Sequence, residues 1–281
     1  MPLDPQKLMA LSIPARDVAY GDRETLLYAL AVGFGIRGAT EELPFVYERE
    51  LRVVPSMATM LAFDDTWLGA GGIDLQHVVH GALDITFHRP LASAGAGRIT
   101  ARISGVSDKG TGRGGLVFQE SVVAQGRTPA CTVRSTMFVR GAGGFGGSVG
   151  EFVEVAAMPN SAHHESTEVV IAQNQALLFR LLGDRNPLHV DPSVAQLAGF
   201  PRPILHGACT FGIACAETLR RFCDHDPARL VRFAARFAGP LHPGETLRFD
   251  FWHTPSGIAF RASAAQRQAI VLDNGLAVLT S

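Results

Sequence analysis

The chain has almost no excess of either charge. Its 281 residues include 25 lysines and arginines against 26 aspartates and glutamates. That balance excludes a strongly basic nucleic-acid binder and an acidic disordered tail. Cysteine is scarce: only Cys131, Cys209, Cys215 and Cys223 occur, none in a CxxC pair. A disulfide framework is therefore not expected, and a reduced, cytoplasmic setting is. No apolar run reaches the roughly 18 residues of a membrane span. The longest, Leu26 to Ile36, is broken by Gly33 and Gly35. No basic stretch leads into an apolar one after Met1, so neither a secretory leader nor a membrane partner is expected. The last residues, Ala277 to Ser281, form neither a Ser-Lys-Leu tripeptide nor a CaaX box. Histidine is more plentiful, yet His163 and His164 are adjacent in a polar stretch, and neighbours in sequence rarely face one metal ion. No metal is expected. Hydrophobic residues reach 47% and charged residues only 18%, enough for one large core or two small ones.

Glycine is abundant and concentrates in Gly141-Ala142-Gly143-Gly144-Phe145-Gly146-Gly147. The spacing Gly141, Gly143, Gly146 is a formal GxGxxG, but a dinucleotide fingerprint needs a helix to open directly after it. More Gly, Ser and Val follow, so the run reads as a flexible linker over 141–154. It divides the chain into repeats at 1–140 and 155–281. A shift of 151 residues lays Leu26–Leu30 on Leu177–Leu181 and Ser56–Met60 on Gly207–Phe211. A shift of 150 lays Phe87–Leu91 on Phe237–Leu241. Three matches in one order point to two copies of one unit. In the second copy Ile204, Ala208, Phe211, Cys215, Leu219 and Phe222 recur at helical steps, after Pro201 and Pro203 and before Asp224 to Pro227. Strand-like runs follow at 247–252, 257–263 and 267–272, with Asp273-Asn274-Gly275 as a hairpin signal. The first copy ends alike, at 98–105, 115–124 and 132–139. An Ala-rich helix wrapped by an antiparallel sheet, twice over, predicts an α+β double hotdog fold.

The densest polar cluster is Gly183-Asp184-Arg185-Asn186-Pro187-Leu188-His189-Val190-Asp191-Pro192. Gly183 and Asn186-Pro187 stop any helix, which leaves these side chains on a loop, where functional groups concentrate. A carboxylate at Asp184 beside an imidazole at His189 gives an acid and a base near neutral pH. Asn186 can orient either of them, or a water. Taken as bare residue types, the same three fit a turn with a surface histidine. Gly207 opens the helix after Pro203-Ile204-Leu205-His206, and an uncovered helix N-terminus offers N–H groups to an oxyanion.

The run Phe179 to Pro192 resembles the hydratase 2 motif of the (R)-specific enoyl-CoA hydratases in the MaoC-like hotdog group. Leu197-Ala198-Gly199-Phe200, Pro203 to Gly212 and Ala235 to Leu247 resemble the same family. So do His80-Gly81, Pro90-Leu91, Asp108-Lys109-Gly110 and the glycine run of the first half. The resemblance covers nearly the whole chain and is strongest to the two-repeat hydratase domain of peroxisomal multifunctional β-oxidation enzymes. It implies reversible addition of water to trans-2-enoyl-CoA, giving (R)-3-hydroxyacyl-CoA, within fatty-acid metabolism. It implies a catalytic dyad of Asp184 and His189, with Asn186 fixing the water and the Gly207 N–H receiving the thioester oxygen. His80, Gly81, Lys109 and Phe237 match positions that touch acyl-CoA. No cofactor is implied beyond the CoA of the substrate. The partners expected are acyl-CoA and a second copy of the chain in a homodimer. On this reading His189 takes a proton from water and Asp184 supplies one to the α-carbon; the reverse stays open for a coupled pair.

At the 151-residue shift, Asp184, Asn186 and His189 fall on Gly33, Gly35 and Gly38. The first repeat therefore carries no dyad, and the expectation is that its glycines widen the space for the acyl chain. Two rivals stay open: a hotdog thioesterase and a non-catalytic acyl-CoA-binding protein.

Overall fold

The computed structural model describes residues 2–152 and 155–280. The expected repeats begin at Met1 and end at Ser281, and the expected linker ends at 153–154; these positions lie outside the described residues. The first half holds β1 (Arg16–Tyr20), β2 (Val78–Phe87), β3 (Gly95–Asp108), β4 (Gly114–Gln125), β5 (Thr128–Arg140) and the short β6 (Ser148–Gly150). The second half holds β7 (Glu165–Val170), β8 (Leu230–Phe237), β9 (Thr246–Thr254), β10 (Gly257–Ala264) and β11 (Ala269–Leu279). All join one antiparallel sheet in the order β1-β3-β4-β5-β2-β8-β11-β10-β9-β7, with β6 beside β3. Read outward from the seam between β2 and β8, the two halves repeat one order, 2-5-4-3-1 against 8-11-10-9-7. This is the double hotdog arrangement of an α+β protein.

The seam runs from Ala82 opposite Arg236 to Thr86 opposite Arg232. Its ladder is reinforced by a side-chain fork: Arg232 donates to both oxygens of the buried Asp84 at 2.9 and 2.6 Å. The long helix Gly207–Phe222 lies against the sheet and is buried at every residue from Cys209 to Leu219. Alternation supplies its cover. Leu247, Phe249 and Phe251 of β9 are fully buried, while Arg248 and Asp250 pair on the other face. Close approach needs a small residue: a Cβ at Gly212 would stand 2.5 Å from Val32 and 2.8 Å from the Tyr28 hydroxyl.

Four expectations change. The first half has no long central helix. Pro55–Met57 is a 3-10 turn and the helix after it, Ala58–Ala62, is one turn long. Asp64 then binds the Thr66 N–H, which fixes a turn instead of further helix. Second, Asp273-Asn274-Gly275 is no hairpin. It lies inside β11 at a register shift against β8, with Asn274 at φ 54°, because β11 pairs on both sides and needs a bulge there. Third, β1, β2, β6, β7 and β8 join the strands expected, β6 within the expected linker. Gly81 and the polar Asp84 interrupt the alternation of β2, and arginines do so in β8. Fourth, the glycine run is tied down. The Asp108 carboxylate accepts N–H groups from Gly110, Gly144 and Gly146 at 2.8, 2.8 and 2.7 Å. Those bonds hold its pKa below the usual carboxylate range.

The first-half loop at 33–38 also has a structural task. Gly33, Gly35 and Gly38 have φ of 93°, 82° and 64°, a region that side chains oppose. Glu42 accepts the Gly35 N–H at 2.6 Å and the Arg220 guanidinium at 2.7 Å. Arg220 also donates to Glu217 and to the Gly33 carbonyl and covers the Phe34 ring. Gly33 and Gly35 thus serve a clamp on the central helix. Gly35→Ala should lower stability by roughly 1–2 kcal/mol and slow short and long substrates alike. Urea unfolding and rates on two chain lengths measure this; selective loss of the longer substrate would restore the acyl-space reading.

Candidate active site

The polar loop is shaped locally. A 3-10 turn, Arg180–Leu182, ends at Gly183 with φ 127°. Asn186 then caps a second 3-10 turn, Pro187–His189, its Oδ1 accepting the Leu188 N–H at 3.0 Å. The Asn186 N–H donates to Asp184 Oδ1 at 3.2 Å. Asn186 therefore acts on Asp184 through its backbone, while its side-chain oxygen holds the turn. Such capping makes the loop rigid before any ligand arrives.

His189 is buried, and its Nδ1 lies 2.9 Å from the Ile204 carbonyl. A carbonyl only accepts, so Nδ1 carries the proton and Nε2 is left as the basic nitrogen. Asp184 is half-buried beside it. A third group stands with them: His206, 1% exposed, stacked on His189 with ring centroids 3.7 Å apart. One ligand atom from each of Asp184, His189 and His206 lies within 4.8 Å of the others, the one grouping among the described residues close enough to share a metal ion. His163 and His164 do not converge: His163 faces Asp250 at 3.7 Å and His164 accepts the His253 N–H.

His206 caps the central helix, so Gly207 is its first residue and its N–H is among those the helix leaves free. A Cβ at Gly207 would press on the Phe237 ring at 3.2 Å. Phe237 in turn meets the His80 ring at 4.9 Å, across the β2–β8 seam. His80 thus comes to the second-half site from the first half. Gly81 sits at the bulge of β2, where a Cβ would lie 3.1 Å from the Thr136 carbonyl, so it lets the strand bend behind His80. Lys109 is exposed on the β3–β4 hairpin, outside this cluster. Three strand spacings separate β3 from β2, roughly 14 Å.

Burial governs the electrostatics. It lowers the pKa of His80 to about 4 against the opposing pull of Asp184. It lowers His206 to about 4 as well, helped by the neighbouring His189 and opposed by Asp184. His189 is shifted down for the same first reason, against its bond to Ile204 and the charge of Asp184. The site is a set of neutral imidazoles around one carboxylate. Sequence reasoning quoted His206 but used only its neighbour Gly207. The signal was there, a histidine at a helix cap two residues after Ile204, whose carbonyl orients His189.

Comparison with known proteins now identifies the family. Residues 18–141 match the MFE-2 hydratase 2 N-terminal domain and residues 154–274 match the MaoC like domain. The chain is 35% identical to 3-hydroxyacyl-thioester dehydratase Y of Mycobacterium tuberculosis, covering 98% of each protein. The chain belongs to the MaoC-like dehydratases. It is also 32% identical to the peroxisomal enoyl-CoA hydratase 2 of Arabidopsis thaliana, over 94% of this chain and 92% of that one. The crystal structure of a MaoC-like dehydratase from Phytophthora capsici superposes at a TM-score of 0.91 with 27% identity, covering 99% and 98% of the two chains.

The buried imidazoles make stability depend on pH. The folded state keeps His80 and His206 neutral down to about 4, whereas unfolded histidine takes its proton near 6.5. Between those values the unfolded chain binds more protons, so stability falls as pH falls. The urea midpoint should drop from pH 6.5 towards 4, and His80→Phe should remove part of that drop. A flat midpoint across this window would contradict neutral, buried imidazoles.

Proposed function

We propose that this hydro-lyase adds water reversibly to trans-2-enoyl-CoA and yields (R)-3-hydroxyacyl-CoA, in β-oxidation or in the supply of (R)-3-hydroxyacyl-CoA. One observation carries the reading: Asp184, His189 and His206 converge where the central helix presents the Gly207 N–H. The family and its relatives named as hydratases and thioester dehydratases support the substrate class.

In the forward direction the thioester oxygen rests on the Gly207 N–H. Charge that builds on it in the transition state meets the positive end of a 16-residue helix. A water between Asp184 and His189 loses a proton to His189 Nε2 as its oxygen bonds to the β-carbon. That proton passes from His189 to the Asp184 carboxylate, which supplies it to the α-carbon, so both groups end as they began. Atoms balance without a redox partner, so no cofactor beyond the CoA of the substrate is proposed. His80 and Phe237 flank the reacting carbons. The first repeat contributes that wall, and Lys109 on its hairpin lies within the length of a CoA arm. A reduced, cytoplasmic setting is part of the proposal. A homodimer is part of the proposal, and light scattering measures it.

Asp184→Asn and His189→Ala should each lower kcat about a hundredfold or more and leave the circular dichroism spectrum unchanged. The double variant should be little worse than the worse single one, since the groups act as a unit. Near-normal turnover in either would exclude the dyad, and release of free CoA instead of a hydroxyacyl product would favour thioester hydrolysis.

Lys109→Ala should raise KM for enoyl-CoA and spare kcat. Added salt should weaken the wild type more than the variant, because a phosphate contact at an exposed lysine is screened. An unchanged KM would place Lys109 among solvated surface residues.

A further inference from the structure

His206 is more than the dyad requires. It is 1% exposed, and its Nδ1 is buried with no hydrogen-bond partner among the described residues. A buried polar atom left unpaired is costly, and a phenylalanine would fill the same space without that cost. Two of its side-chain contacts bear on the dyad members. One face stacks on His189, with centroids 3.7 Å and planes 29° apart. The other side meets Phe179 at 5.0 Å. Its Nε2 lies 3.3 Å from the main-chain carbonyl of Asp184.

We propose that His206 is a positioning residue that keeps His189 neutral with its proton on Nδ1 and pins the main chain of Asp184, so that His189 Nε2 stays free to take the proton of the attacking water. The proposal rests on the dyad reading above. A carbonyl accepts, so His206 itself carries its proton on Nε2 and leaves Nδ1 bare. A second proton on His206 would be buried and in contact with another imidazole. The groups facing this pair are few. Asp184 stands on the same loop as His189, and His80 reaches Asp184 from β2. The Arg180 charge, from the preceding 3-10 turn, disfavours a charged His206. Burial keeps both rings below the ordinary histidine range, His206 at about 4. The stack excludes water from one face of His189, and the Ile204 carbonyl fixes its tautomer at 2.9 Å. With each ring locked by a carbonyl, the bare nitrogens are His189 Nε2 and the buried, unpartnered His206 Nδ1, and the first is the one proposed to act as base.

The two tasks can be separated. His206→Phe keeps the stack and loses the N–H. It should lower kcat about tenfold, the value of one hydrogen bond, with KM for crotonyl-CoA and the acid limb of kcat/KM unmoved. His206→Gln keeps a donor for the Asp184 carbonyl and admits water to His189. Its acid limb should move to higher pH by about one unit as His189 regains hydration, with kcat lowered less than in His206→Phe. Equal loss of kcat in both variants with an unmoved limb would reduce His206 to a space-filling residue. Long-range 1H–15N spectra of the wild type give a reading independent of activity and of variant folding. His189 should appear as the Nδ1–H tautomer and His206 should stay neutral below pH 6. A His189 that carries its proton on Nε2, or a His206 that titrates near 6.5, would overturn the inference. His189→Ala tells the two levels apart. If it retains turnover the dyad itself fails. If it is inactive while the His206 variants show no split, this inference alone fails.

Discussion

The antiparallel pairing of β2 with β8 is the constraint on which the molecule depends. It turns two half-sheets into one and lays the central helix of the second half against residues of both. Five residue pairs and the Arg232–Asp84 fork fix its register. A slip of one residue would turn every side chain of β2 to the opposite face. His80 would then leave Phe237, and the wall beside Gly207 would open. The chemistry of the second half is thus held in place by a strand of the first.

Within that frame the site sets burial against charge. Burial alone drives imidazoles towards the neutral form, and a carboxylate close by pulls them the other way. Around Asp184 burial wins for His80, His189 and His206. A dry set of neutral rings beside one carboxylate and one helix N-terminus suits proton transfer to and from carbon, because each donor is already oriented before the reaction. The clamp of Glu42, Arg220 and Glu217 uses buried groups differently. There, buried charges are paired, and they hold the helix instead of moving protons.

Much of this was legible in the sequence where one residue type allows one outcome. Gly183 and Asn186-Pro187 forbid helix, so the polar loop at 183–192 was readable as a loop, as was the central helix from its apolar steps of three and four. The duplication was readable because helix starts and Pro-Leu corners keep their spacing. The inner strands were not. β2 carries a bulge at Gly81 and a buried Asp84 whose partner lies 148 residues away, and no local pattern announces such a pair. Asp273-Asn274-Gly275 favours left-handed backbone both in a hairpin and in a bulge, and only neighbours on both sides of β11 decide between them. His206 was hidden by its place at a helix cap, where the backbone drew the attention. The glycines at 33, 35 and 38 read as room for an acyl chain, yet the bonds of Glu42 and Arg220 tie Gly35 and Gly33 into the clamp.

The strand order has a consequence for assembly. A sheet that joins two halves edge to edge could in principle go on joining, chain after chain, into a fibre. Here the far edges are β1, with the three-residue β6 farther along β3, and β7; β1 and β7 have five and six residues. Asp17 on β1 is bound by Arg98, and Glu165 on β7 by Arg221. Short edges studded with charge are poor templates for another strand. Fusion of the two halves thus consumes the two good edges internally and leaves the molecule with two bad ones, so that tandem duplication yields a closed unit and not the start of a polymer.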